Sequence, residues 1–231
     1  MTAAVTCRLS LVFARSAPIA VILRRGPTRW VEVIKWNTAK DKFECGQWLH
    51  GRIYAERCGL SPNGKLFVYF AMKYGRVGKE HGYEQTFTAV SKPPYLTALA
   101  LWPEGSTWGG GGHFVDDATL RLAYGANGTN HPGTGRTTIC MAPMPSAHPS
   151  HLPHKLRIET DLDRYAPDLG FHDETASSKD VWVGRDHANR QIIAREGVLY
   201  GINSRKKEVV LRDFNADMPE RIVAPKVATE W

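Results

Sequence analysis

The sequence lacks long apolar runs and is poor in cysteine, and each shortage excludes a class of protein. Its four cysteines are scattered over 231 residues without C-x-x-C spacing. They are too sparse for a disulfide framework and favour a reducing, cytoplasmic setting. The most apolar early segment, 9–23, contains Arg15 and Pro18 and is too short for a membrane-spanning helix. We therefore expect this segment to form strands, and we expect no membrane partner.

Long segments of helical periodicity are also missing. Short runs rich in Val, Ile, Tyr, Phe and Trp alternate instead with Gly, Pro and Asn turns, which is typical of an all-β protein. The predicted strands are 19–23, 30–36, 43–48, Ile53–Cys58, 66–72, 85–90, 96–102, 120–124, 181–184, 191–195, 198–202 and 208–213. We predict a single all-β domain over residues 1–231.

An internal repeat supports a modular sheet structure. Tyr54 and Leu60 match Tyr95 and Leu101 at an offset of 41 residues, which lies in the range of one four-stranded propeller blade. A weaker copy surrounds Glu196-Gly197. Glycine in these turns accepts the positive φ that tight hairpins require. Each copy thus predicts a tight turn after an apolar strand, and the offset predicts that Tyr54 and Tyr95 occupy equivalent places in consecutive sheets.

The segment Leu60–Ala71, which includes Ser61-Pro62-Asn63-Gly64-Lys65, resembles the hairpin of TolB-type and WD40-like β-propellers. The resemblance implies a propeller-like stack of antiparallel four-stranded sheets, short or incomplete. A β-sandwich remains the alternative. The role that it implies is a non-enzymatic binding or interaction module whose partner is another protein or a small ligand. No cofactor is expected.

Residues 126–179 interrupt the strand pattern with Gly, Pro, Thr, His and Asp, and we predict a surface insertion there. His148, His151 and His154 share the period of a polyproline II helix, whose rise separates neighbours by roughly 9 Å. Two of the three could bind one metal ion if another ligand such as His131 or Asp161 joined them. We therefore hypothesise a metal site of His148, His151 and Asp161, and as an alternative function a metal-assisted hydrolase.

A glycine-rich loop follows Trp108. Residues 109–112 are all glycine but lack the Gly-Lys-Ser/Thr ending of a phosphate-binding loop. Our functional hypothesis is a ligand pocket lined by loop backbone. Its predicted binding residues are Trp108, Gly110, His113, Asp116 and Asp117.

Positive charge is concentrated in the first part of the chain. Of a net charge of +7, residues 1–92 carry 15 basic and 6 acidic side chains. Basic residues near aromatic ones can contact a nucleic-acid backbone, so a second alternative is a non-specific nucleic-acid or polyanion binder. Its predicted contacts are Arg24, Arg25, Arg29, Lys73, Arg76 and Lys79.

Overall fold

The chain folds almost entirely into β-strands. The computed structural model describes residues 7–73, 85–103, 107, 109–123, 156–161 and 181–231. The strands are β1 (Arg8–Phe13), β2 (Ile19–Arg25), β3 (Trp30–Asn37), β4 (Lys42–Ile53), β5 (Gly59–Leu60), β6 (Phe67–Lys73), β7 (Thr86–Ser91), β8 (Ala100–Pro103), β9 (Gly112–Phe114), β10 (Thr119–Ala123), β11 (Arg157–Asp161), β12 (Val181–Arg185), β13 (Gln191–Arg195), β14 (Val198–Ile202) and β15 (Glu208–Asp213). Helix in these residues is limited to a 3-10 turn, Ala55–Arg57, and one α-helical turn, α1 (Lys226–Thr229). The predicted all-β class is confirmed.

The strands follow one another as antiparallel meanders. The largest sheet has the order β1-β2-β3-β4-β6-β7-β8, with β5 pairing to β6. Strand β4 joins its two parts, because residues 42–50 pair with β3 and residues 51–53 pair with β6. We call β1–β4 the first meander, β5–β8 the second meander and β12–β15 the last meander. A three-stranded sheet, β11-β10-β9, includes one parallel pair, β10 with β11.

Three apolar clusters lie in series between these layers. Ile22 and Trp36 of the first meander pack with Ile192 of the last meander. A second cluster joins the first and second meanders, and a third joins the second meander to the three-stranded sheet. Successive side chains of a strand point to opposite faces, so Val21 and Ile22 enter different clusters. Both faces of the first meander are therefore buried, which explains its continuous apolar runs.

The early apolar segment forms β1 and β2, as expected, and Arg15 and Pro18 lie in the turn between them. The predicted strand Ile53–Cys58 is wrong. Strand β4 ends at Ile53, and the chain then forms a 3-10 turn in which the Arg57 amide donates to the Tyr54 carbonyl oxygen at 2.9 Å. Apolar composition alone did not reveal this local i to i+3 hydrogen bonding.

Two predicted hairpin turns are confirmed. Between β5 and β6, the Ser61 hydroxyl accepts hydrogen bonds from the amides of Lys65 and Leu66, and Gly64 has a φ of 72°. Between β13 and β14, Glu196 and Gly197 have φ values of 51° and 75°. Positive φ at both residues is the geometry of a type I′ turn.

The proposed equivalence of Tyr54 and Tyr95 is wrong. Tyr54 precedes the 3-10 turn after β4, whereas Tyr95 lies in the connection between β7 and β8 of the same sheet. The Glu196-Gly197 turn also joins the second and third strands of its meander, while Ser61–Gly64 joins the first and second. The 41-residue match therefore pairs positions that have different places in the sheets.

Of the segment 126–179, the structure describes residues 156–161 alone. Arg157–Asp161 forms β11, which pairs with β10, and Leu156 packs against the third cluster.

The C-terminal segment, 214–231, lies across the strands of the first meander. The side-chain amide of Gln47 in β4 donates to the Ile222 carbonyl oxygen of this segment at 2.9 Å.

Candidate functional site

A pocket of about 250 Å³ lies at one end of the first meander. Residues of β1, β2 and β3 line it together with the end of β4, the 3-10 turn and the start of β12. Its charged lining consists of Arg8, Arg25, Arg52 and Glu56. Three positive charges therefore face one negative charge, and we call this cavity the arginine pocket.

Strand pairing brings these arginines together. Arg8 of β1 is the direct cross-strand partner of Arg25 of β2, so both side chains lie on the same face of the sheet. Arg52 reaches the same pocket from the end of β4. Like charges placed opposite each other destabilise a strand pair. The arrangement therefore costs folding energy, which is a feature of binding sites more than of frameworks.

Aromatic side chains complete the lining. The Arg52 guanidinium carbon lies 4.4 Å from the centre of the Tyr54 ring, a cation-π contact that orients the guanidinium. Trp182 of β12 also lines the pocket, and its indole N–H is buried without a hydrogen-bond acceptor among the described residues. Arg25 is exposed, and it has no ion-pair partner among the described residues. The pocket thus offers several donors to an anionic group.

The residues predicted to contact a polyanion lie in different environments. Arg24 is only 1% exposed and donates to the carbonyl oxygens of Phe214, Gly26 and Asp217, so its assignment to a polyanion surface is wrong. Arg25 lines the pocket, whereas Arg29 and Lys73 are exposed elsewhere, in the β2–β3 turn and at the end of β6. Arg76 and Lys79 lie outside the described residues.

The glycine-rich loop packs against the protein. The Gly110 amide donates to the Ala123 carbonyl oxygen at 2.9 Å, and the Gly111 amide donates to the Thr88 hydroxyl at 2.8 Å. Gly111 has a φ of 91°, and a Cβ there would lie 2.4 Å from the Arg57 carbonyl oxygen. These two amides are therefore engaged within the fold and are not offered to a ligand.

Three of the other residues predicted for that loop site, His113, Asp116 and Asp117, are among the described residues. His113 is half-buried in β9, and Trp108 lies outside the described residues. Asp116 accepts a hydrogen bond from the Ala118 amide, which lowers the pKa of its carboxyl. Asp117 accepts one from the Asn63 amide at 2.8 Å. Both carboxylates hold turns together, and their ligand role stays a prediction.

The predicted metal site falls mostly outside the described residues. His148 and His151 lie there, and Asp161 is the last residue of β11, whose side chain is also outside the description. Among the described residues, one set of three side chains lies close enough together to hold a metal ion: Glu32, Cys45 and Asp217. Sequence reasoning missed it because β3, β4 and the C-terminal segment meet only in the folded chain.

Comparisons with known proteins give no identification. No protein-family model, curated protein or solved structure matches this chain significantly. Every helix among the described residues is too short or too polar to cross a membrane. A functional conclusion therefore depends on the geometry of the sites.

Proposed function

We propose that this protein is a non-enzymatic, propeller-like binding module that holds a small ligand with a phosphate or carboxylate group in the arginine pocket. The observation that carries the proposal is the convergence of Arg8, Arg25 and Arg52 on one cavity with a single acidic residue. Guanidinium groups stay protonated and match planar or tetrahedral oxyanions through paired hydrogen bonds. They suit binding better than proton transfer.

The layer order supports a propeller-like arrangement. The first, second and last meanders each run as consecutive antiparallel strands, and apolar clusters join successive layers. In a propeller, the turns between first and second strands of neighbouring blades lie on one side. Here the Ser16 amide donates to the Pro62 carbonyl oxygen, and the Asn63 amide donates to Asp117, which links three such turns.

The position of the pocket supports the same arrangement. Its lining includes the start of β1, the segment before β5 and the start of β12. These are first strands of their meanders or lead into them. First strands surround the axis of a propeller, and ligands bind at that axis in many folds of this shape. The remaining lining comes from β2, β3 and the end of β4, and the share contributed by first strands supports an axial position for the arginine pocket within the proposed arrangement.

The size of the pocket favours a small anion over a polymer. A volume of about 250 Å³ lies just below the usual range of small-molecule sites, which suits a small anion, and cannot enclose a nucleic-acid strand. Nucleic acid remains the second candidate because of the charge of residues 1–92. If an oligonucleotide binds, its affinity should fall steeply between about 50 and 200 mM salt, without sequence preference.

Calorimetric titration with pyrophosphate and citrate at low salt tests the proposal. We expect wild-type protein to bind at least one of these probes. Each charge-assisted hydrogen bond contributes about 1.5–3 kcal/mol, so the variant Arg25→Gln/Arg52→Gln should bind at least tenfold more weakly. Both residues line the pocket.

Arg205→Gln is the matched control, because Arg205 is exposed in the turn between β14 and β15. This variant loses the same kind of charge away from the pocket and should bind within twofold of wild type. Equal weakening in the control would show a general charge effect. That result, or absence of binding by the wild type to both probes, would overturn the proposal.

A further inference from the structure

A cluster of three possible metal ligands lies on the opposite face of the first meander from the arginine pocket. One ligand atom each from Glu32, Cys45 and Asp217 lies within 4.8 Å of the others. Cys45 pairs with Ile34 across β3 and β4, so it shares a face with Glu32 two residues away. The C-terminal segment brings Asp217 to the same face.

The Glu32 carboxylate is a second, independent indication of a missing ligand. Glu32 is only 2% exposed, and its Oε2 atom has no hydrogen-bond partner among the described residues. A buried, unpaired carboxylate oxygen costs folding free energy unless something binds it. Cys45 and Asp217 are half-buried, so the cluster is reachable from solvent.

We propose that Glu32, Cys45 and Asp217 bind one zinc ion, with water as the fourth ligand. A thiolate with carboxylate oxygens is a donor set that this borderline-soft cation accepts. Zinc bonds of about 2.0–2.3 Å place tetrahedral ligands about 3.5 Å apart, so the three groups must approach by about 1 Å. Asp217 lies outside the strands, where such an adjustment is easiest.

Arg212 is the competing cation in this cluster. Its Nη2 atom lies 3.2 Å from Cys45 Sγ and 2.8 Å from Asp217 Oδ2. The neighbouring Arg24 donates instead to three backbone carbonyl oxygens. Arg212 therefore neutralises the metal-free cluster, and zinc must displace its guanidinium from both ligands.

Proton release accompanies metal binding at a thiol. Zinc binds the thiolate form of cysteine, so the Cys45 proton passes to solvent water when the Zn–S bond forms. The Glu32 and Asp217 carboxylates supply the oxygen ligands.

The test uses cobalt absorption and zinc competition with a chromophoric chelator on the full chain. Wild-type protein should bind one ion and show thiolate-to-cobalt charge transfer in the near ultraviolet. Cys45→Ser should lose that band and bind zinc at least tenfold more weakly. Cys58→Ser, which changes a thiol buried elsewhere, should keep both properties.

Arg212→Met gives an effect of opposite sign. Methionine preserves packing near Phe43 and Phe214, over which the guanidinium lies. Removal of the competing charge should tighten zinc binding several-fold. The proposal is overturned if wild-type protein shows no thiolate band with cobalt, if Cys58→Ser loses the band as Cys45→Ser does, or if Arg212→Met weakens zinc binding. These outcomes are independent of the arginine pocket.

Discussion

The two faces at the end of β2 use adjacent arginines in opposite ways. Arg24 lies opposite Glu32 of β3, is 1% exposed and donates to three backbone carbonyl oxygens. Arg25 lies opposite Arg8 and Val31, is exposed and lines the arginine pocket. On one face, residues of unlike charge lie opposite each other beneath the C-terminal segment, and on the other face, residues of like charge lie opposite each other beside an open cavity.

This difference separates a structural charge from a charge available for binding. Burial of a guanidinium is costly, and its hydrogen bonds must compensate for the lost hydration. Arg24 has that compensation from Phe214, Gly26 and Asp217, so the C-terminal segment is fixed to β2 through it. Arg25 lies directly opposite Arg8, and like charges at such positions disfavour strand pairing, whereas a bound anion would favour it. The stability of the fold therefore depends on Arg24 and does not depend on Arg25.

The largest expected effect comes from Arg24→Met. The variant leaves three backbone acceptors without their charged donor, including buried oxygens near Phe214. The free energy of unfolding should fall by about 4 kcal/mol, as measured by urea denaturation. Arg205→Met, at an exposed turn, should change it by less than about 0.5 kcal/mol. A loss below about 1 kcal/mol in Arg24→Met would contradict the structural role of this face.

The next effect concerns Glu32 and depends on pH. The pKa of its carboxyl rises to about 7 in the fold because burial disfavours the charged form, against an ordinary value of 4.5. The folded state therefore binds the proton more tightly, and this group's contribution to stability is lost as pH rises from about 4.5 to about 7. The shift corresponds to about 3 kcal/mol.

Glu32→Gln should remove this pH dependence, because glutamine mimics the protonated carboxyl. Denaturation at pH 5 and pH 8, in chelator to exclude metal, should show a smaller difference for the variant than for wild type. Glu44→Gln is a control at an exposed carboxylate, which faces Lys35 at 3.9 Å. An unchanged pH dependence in Glu32→Gln would show that the Glu32 carboxyl is solvated.

Sequence patterns predicted the strands far better than the sites. Alternating and continuous apolar runs follow from strand geometry, and the Ser61–Gly64 turn follows from the side chains that form it. Strand alternation places Arg24 and Arg25 on opposite faces, and the C-terminal segment around Asp217 covers only the face of Arg24. Such long-range contacts carry no local signal. The Glu32–Cys45–Asp217 cluster could not be predicted for the same reason.

The hairpin motif shows what a local sequence signal does predict and what it does not. Ser61-Pro62-Asn63-Gly64 folds as its residues predict, yet the 41-residue offset built on it pairs positions in different connections. A turn motif specifies its own geometry and does not specify where the turn lies in a sheet. Equivalence between meanders depends on which strands the turn joins. That information comes from the strand pairing, in which the Ser61–Gly64 turn joins β5 to β6 and the Glu196-Gly197 turn joins β13 to β14.

The smallest effect is expected at Arg25. Arg25→Gln removes one of two like charges that face each other across β1 and β2, so stability in the absence of ligand should rise by about 0.5 kcal/mol. The gain should shrink as salt is raised, because exposed charges are screened. Urea denaturation at low and high salt measures it, with Arg205→Gln as the control. If Arg25→Gln instead destabilises the protein by more than about 1 kcal/mol, Arg25 supports the fold as Arg24 does, and the contrast between the two faces is lost.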